Sequence, residues 1–71
     1  MINDAKTLGA RIKLERKSQK ISQPEMARRA ECARNTIFNI EAGENVAVDI
    51  IFRVMRELGM GIHLSSATST K

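Results

Sequence analysis

The segment SQPEMARRAECARNTIFNIEAG, from Ser22 to Gly43, carries the clearest helix signals of the chain. Ser22 is typical of a helix N-cap, Pro24 falls in the first turn, where its missing N–H costs nothing, and Glu25 stands three residues after Ser22 as in a capping box. The apolar spacing predicts a second helix over 34–42, and Gly43 is a natural C-cap for it. The residues between the two are too few for a loop, so the stretch predicts two short helices joined by a tight turn.

The residues before this stretch predict a first helix. Apolar side chains recur at Ala5, Leu8 and Ile12, which is the spacing of one face of an amphipathic helix. We expect this helix to start at residue 3 or 4, with Asn3 as its N-cap, and to end at about residue 18.

Two charged residues continue the apolar stripes of these helices. Arg16 lies at the i+4 position after Ile12, and Glu41 lies at the i+4 position after Ile37. A charge on a core-facing stripe either reaches outward or needs a partner of opposite sign. We therefore expect Arg16 and Glu41 to form an ion pair at the edge of the core.

A fourth helix is predicted from about Ala47 to Leu58, ended by Gly59. Ile50 and Val54 form a second apolar stripe on it, which favours a subunit interface, with packing inside one chain as the alternative. The expected core face carries Val48, Ile51, Phe52, Met55 and Leu58.

Residues 60–65 alternate apolar with small or polar side chains, which is the period of a β-strand. Because one strand has no partner in an otherwise helical chain, we expect it to pair with the same strand of a second copy. Met60, Ile62 and Leu64 would then lie in the dimer interface. Residues 66–71 are small and polar and are predicted to be disordered.

The length of the chain bounds its organisation. With 71 residues and a mass of 7.9 kDa it forms one domain at most, expected over 1–65, with the two-helix motif over 22–43 and a dimerisation helix and strand over 47–65. Such small cores usually need a disulfide, a metal or a second subunit. The single cysteine, Cys32, cannot form an internal bridge, and Cys32 with His63 gives too few ligands for a structural zinc. A homodimer without metal or cofactor is therefore expected.

The charge distribution narrows the class of partner. Residues 1–34 hold nine basic and four acidic side chains, whereas residues 35–71 hold three and four. A solvated basic face is one interpretation and attraction to a polyanion is the other. With no Trp, no Tyr and two Phe, the chain lacks the stacking surface that holds single-stranded nucleic acid, which favours a duplex or a protein as target.

Several classes of protein are disfavoured by what the sequence lacks. It contains no phosphate-binding loop and no metal-ligand cluster, so we do not expect an enzyme. It has neither a membrane-spanning apolar run nor the layout of a signal peptide, so we expect a cytoplasmic protein.

The motif at 22–43 resembles the lambda-repressor-like (XRE) helix-turn-helix family, and the resemblance extends over about residues 7–59. The family's spacing is matched by Gln23 after a Ser cap, small Ala27 at the contact of the two helices, Ile37 and Ile40 in the core, and Glu41 ahead of Gly43. The resemblance implies an all-α domain of four to five short helices. Two positions depart from the family: Glu31 stands at the turn position usually filled by Gly, and Ala33 replaces the usual Ser or Thr cap.

The resemblance also implies roles for individual residues. Arg16 and Glu41 match the family's partly buried ion pair. Ser22 and Gln23 match positions that contact the DNA phosphates. Thr36 and Phe38 are less specific matches, to contacts with a phosphate or a thymine methyl group, and Thr36 is assigned to the phosphates. The outward face of the recognition helix, which enters the major groove, is matched by Arg34, Asn35 and Asn39.

The function implied is a dimeric, nucleoid-associated repressor of transcription on an inverted-repeat operator in double-stranded DNA. The helix followed by Gly59 and the strand at 60–65 is similar to the HipB-type antitoxins, which would add a HipA-like kinase toxin as partner. A free-standing or phage-type repressor of the same fold is the main alternative. A protein-interaction module that lost DNA binding is the second alternative.

Overall fold

The computed structural model describes residues 4–60, and within them the chain is all-α. It contains α1 (Ala5–Ser18), α2 (Gln23–Ala30), α3 (Arg34–Ala42) and α4 (Val48–Glu57). The predicted all-α helix-turn-helix fold is therefore confirmed. The strand predicted over 60–65, apart from Met60, and the tail at 66–71 lie outside the described residues.

The helix starts follow local hydrogen bonding. Asp4, not Asn3, is the N-cap of α1, and its carboxylate accepts a hydrogen bond from the Thr7 N–H at 2.8 Å. Ser22 caps α2, since its Oγ accepts from the Glu25 N–H at 3.1 Å. The predicted capping box is only half formed, because the Glu25 carboxylate instead accepts from arginines one turn further on.

The turn between α2 and α3 is tight and left-handed. Glu31 adopts φ 58° and ψ 49°, the conformation for which the family uses glycine, at a strain of about 1–2 kcal/mol. The next N–H, of Cys32, donates to the Ala27 carbonyl at 2.9 Å and closes the end of α2. Ala33 then begins α3 without a side-chain cap. Glu31 therefore adopts the left-handed conformation although it carries a side chain.

The core lies where α1 and α2 pack on α3 and where α4 packs on α2. Four side chains are completely buried at its centre: Ile12, Met26, Ile37 and Val54. Around them lie Ile21, Ala27, Ala30, Ile40, Met55 and Leu58.

The orientation of α4 differs from the predicted one. Val54, assigned to a dimer interface, is 0% exposed within a single chain, so it belongs to the core. Val48 and Phe52, assigned to the core, are 61% and 36% exposed. The core-facing side of α4 lies between the two apolar stripes, and Ile50 is therefore half-buried against the core. Among residues 4–60, no helix is long and apolar enough to span a membrane.

Candidate nucleic-acid interface

Helix α3 presents a polar face to solvent beside the start of α2. Arg34 and Asn35, in its first turn, are exposed, whereas Thr36 and Asn39 are half-buried. The buried face of the same helix carries Ile37 and Ile40. These anchors and the helical period hold the polar face outward.

Three of the predicted DNA-contacting residues share one depression. Gln23, at the start of α2, lines a shallow cavity of about 340 Å³ together with Arg34, Asn35 and Phe38 of α3. Ser22 adjoins Gln23 at the exposed N-terminus of α2. Thr36 and Asn39 do not line this cavity. The DNA contacts assigned to all of these residues stay predictions.

A smaller depression continues from the first toward α1. Its volume is about 130 Å³, and its lining includes Lys13 of α1 as well as Gln23 and Phe38, which line both depressions. Lys13 brings a positive charge to this end of the surface. The remaining lining residues are Glu41 and Ala42.

A buried ion pair fixes the base of this surface. The Arg16 guanidinium donates from Nε to Glu41 Oε2 at 2.6 Å and from Nη2 to Oε1 at 3.1 Å. The two side chains are only 8% and 4% exposed. Arg16 Nη1 also donates to the Ile21 carbonyl at 2.7 Å, so the arginine joins α1 and α3 to the residue before the α2 cap.

Gln23 is tied to the same carboxylate. Its Nε2 donates to Glu41 Oε1 at 3.1 Å. The primary amide has two N–H donors and a carbonyl acceptor, so one donor and the acceptor remain for other partners. The ion pair thus orients a side chain that lines the depression.

The outward arginines of α2 are engaged within their own helix. Glu25 accepts from Arg29 Nε at 2.8 Å and from Arg28 Nε at 3.1 Å. The hydrogen bonds from Arg29 and then Arg28 lower the pKa of the Glu25 carboxyl below its ordinary value of 4.5. Because all three side chains are solvent-accessible, these bridges add little stability.

Gly9 is a positioning residue that the sequence analysis did not single out. A Cβ at Gly9 would overlap the Ile40 carbonyl oxygen and would lie 2.9 Å from the Glu41 carbonyl oxygen. The absence of a side chain therefore lets α1 approach the backbone of α3 near the ion pair. The spacing of apolar residues cannot reveal such a position, because glycine has no side chain that adds to the hydrophobic pattern of a helix.

Two observations bear on chemistry other than binding. Burial raises the pKa of the half-buried Cys32 thiol, which disfavours the nucleophilic thiolate. Within the part of the chain that the structure describes, no cluster of three metal-ligating side chains occurs.

Comparison with known proteins places the chain in a family. A helix-turn-helix family model matches residues 12–64. A solved structure described as "MDT Protein" superposes with a TM-score of 0.81 at 25% sequence identity, covering 90% of this chain and 92% of that one. No curated protein gives a significant match. The matched family consists of DNA-binding regulatory domains rather than enzymes. The chain belongs to the helix-turn-helix family of the XRE type and is a DNA-binding transcription regulator.

Proposed function

We propose that this protein is a dimeric repressor that reads double-stranded DNA with the exposed face of α3. The observation that carries the proposal is the depression shared by Gln23, Arg34 and Asn35, which sets phosphate-binding and base-reading chemistry side by side at the start of two helices. An operator with inverted symmetry would receive one α3 from each subunit in successive major grooves about 34 Å apart.

The side chains on α3 suit direct readout. The Arg34 guanidinium fits the O6 and N7 acceptors of guanine, and the carboxamides of Asn35 and Asn39 fit N6 and N7 of adenine. Each good pair discriminates against a wrong base by about 1–3 kcal/mol. Because Arg34 and Asn35 are exposed, they need no rearrangement of the core to reach a groove.

The start of α2 suits the phosphate backbone. Ser22 uses its hydroxyl oxygen to accept the capping bond from the Glu25 N–H, so its hydroxyl hydrogen remains available to donate. Gln23 has a second amide hydrogen beyond the one given to Glu41. Thr36 adds a hydroxyl close to the start of α3. These contacts would fix the register of the protein on the duplex.

The dimer is proposed from the chain's small core and from the outer surface of α4. Val48 and Phe52 of α4 are exposed, and Ile50 and Met60 pack against the core but keep part of their surface accessible. Ile62 and Leu64 stay part of this prediction but lie outside the described residues. Burial of this apolar surface against a second subunit is expected to add the stability that a small core lacks.

A narrower role as a HipB-like antitoxin depends mainly on residues 60–65. The neighbouring gene tests this role. An antitoxin is expected to have an adjacent reading frame for a HipA-like kinase, whereas a free-standing or phage-type repressor is expected to have none.

The proposal is tested by selection from a randomised duplex library, followed by measurement of affinity and stoichiometry on the selected sequence. We expect an inverted repeat bound by two chains, with affinity that falls as salt rises because phosphate contacts release counterions. Binding with no preferred sequence would contradict the repressor function. A preferred sequence without symmetry, bound by one chain, would contradict the dimer.

A further inference from the structure

Phe38 is a large apolar side chain in the middle of the polar face of α3. It is 56% exposed. The chain has only two phenylalanines, so one of its few large apolar side chains is left outside the core. It follows Arg34 by four residues and Asn35 by three, so its side chain is a neighbour of each of theirs on the surface of α3. A ring in this position leaves apolar surface in water and contributes little to the core.

The ring lies among groups that suit polar partners. It lines the larger depression with Arg34 and Asn35, the smaller one with Lys13, and both with Gln23. An occupant of this surface must therefore offer hydrogen-bonding groups with an apolar group close beside them. The major groove meets this requirement, since thymine carries a C5-methyl group next to the acceptors and donors of the base edges.

We propose that Phe38 is a specificity-determining residue that packs against a thymine methyl group next to the base read by Arg34. This inference rests on the proposed function and adds a methyl-dependent component to its specificity. Burial of one methyl group corresponds to about a fourfold change in affinity, or about 0.8 kcal/mol.

The test removes the methyl group and nothing else. In the duplex obtained by selection, each thymine is replaced in turn by deoxyuridine, which keeps the base pair and its hydrogen-bonding groups. Wild-type protein is expected to lose affinity about fourfold at one thymine in each half-site. Phe38→Ala is expected to bind the thymine and uracil duplexes equally, and Phe38→Leu to retain part of the difference.

Leu14→Ala is the matched control. Leu14 is 63% exposed on α1 and lines neither depression, so the penalty for uracil should be unchanged in this variant. The inference is overturned if no thymine shows a penalty, or if the penalty persists in Phe38→Ala. In either of those cases a selected sequence bound by the protein would still support the proposed function, whereas a selection without sequence preference would overturn both.

Discussion

The carboxylate of Glu41 binds two side chains at once, because Oε1 accepts from Arg16 Nη2 at 3.1 Å and from Gln23 Nε2 at 3.1 Å. Arg16→Ala removes the one cation that bonds this carboxylate among residues 4–60 and leaves it buried with Gln23 as a neutral donor. We expect a loss of about 3–5 kcal/mol in the free energy of unfolding, measured by urea denaturation.

A double-mutant cycle separates the ion pair from the packing of its side chains. Glu41→Ala and the double variant with Arg16→Ala complete the cycle. Strong coupling is expected, so that the double variant is far more stable than the sum of the single losses predicts. Simple additivity would show that the two charges do not stabilise each other.

Gly9→Ala is expected to destabilise the domain, although alanine is the better helix former by about 1 kcal/mol. The added Cβ would overlap the Ile40 carbonyl oxygen, and overpacking of this kind costs about 1–3 kcal/mol. Thermal unfolding measures the effect. The matched control is Ala10→Gly at the exposed neighbouring position, which should lose only the helix propensity. A more stable Gly9→Ala variant would contradict the close approach of α1 and α3.

Glu31→Gly is expected to stabilise the protein by about 0.5–1 kcal/mol. Glu31 holds φ 58°, which costs a residue with a side chain about 1–2 kcal/mol, and the greater chain entropy of glycine offsets part of the gain. Glu31→Ala, which keeps the Cβ and its strain, should show no such gain. A loss of thermal stability in the glycine variant would exclude the left-handed turn.

Much of the fold could be predicted from the sequence because local signals agree there. Ser22 and Gly43 begin and end the motif as expected, and α3 runs over the predicted residues Arg34–Ala42. For α4 the signal was ambiguous, since apolar residues surround most of the helix. Which of Val48, Phe52 or Val54 faces inward depends on how α4 docks on α2, and this is set by tertiary packing rather than by periodicity.

The candidate site was predictable in part. The outward position of Arg34 and Asn35 on α3, which the family resemblance implies, is confirmed by their exposure, whereas their base contacts stay predictions. The approach at Gly9 and the bond between Gln23 and Glu41 were missed, since both depend on distances between helices far apart in sequence.

The dependence of the free energy of unfolding on pH should include, at acidic pH, a contribution from Glu25. Its pKa is lowered in the folded state, so this contribution is present above the ordinary value of 4.5 and is lost as the pH falls through the lowered pKa. In the double variant Arg28→Gln, Arg29→Gln the pKa of Glu25 should return toward 4.5, and an NMR titration of the carboxyl groups measures it.

Asp4 is the internal control of that titration. Its pKa is lowered chiefly by the backbone hydrogen bond from Thr7, so its midpoint should stay low in the double variant. A Glu25 midpoint that does not respond to loss of both arginines would show that they do not cause its shift.

Base reading by the exposed face of α3 is tested by repeating the selection from randomised duplexes with Arg34→Ala. We expect a folded variant that no longer prefers guanine at the base that Arg34 contacts. Discrimination at that base should fall about 5- to 150-fold, and the preferences at the other bases should be retained. A selected sequence identical to that of the wild-type protein would contradict base reading by α3.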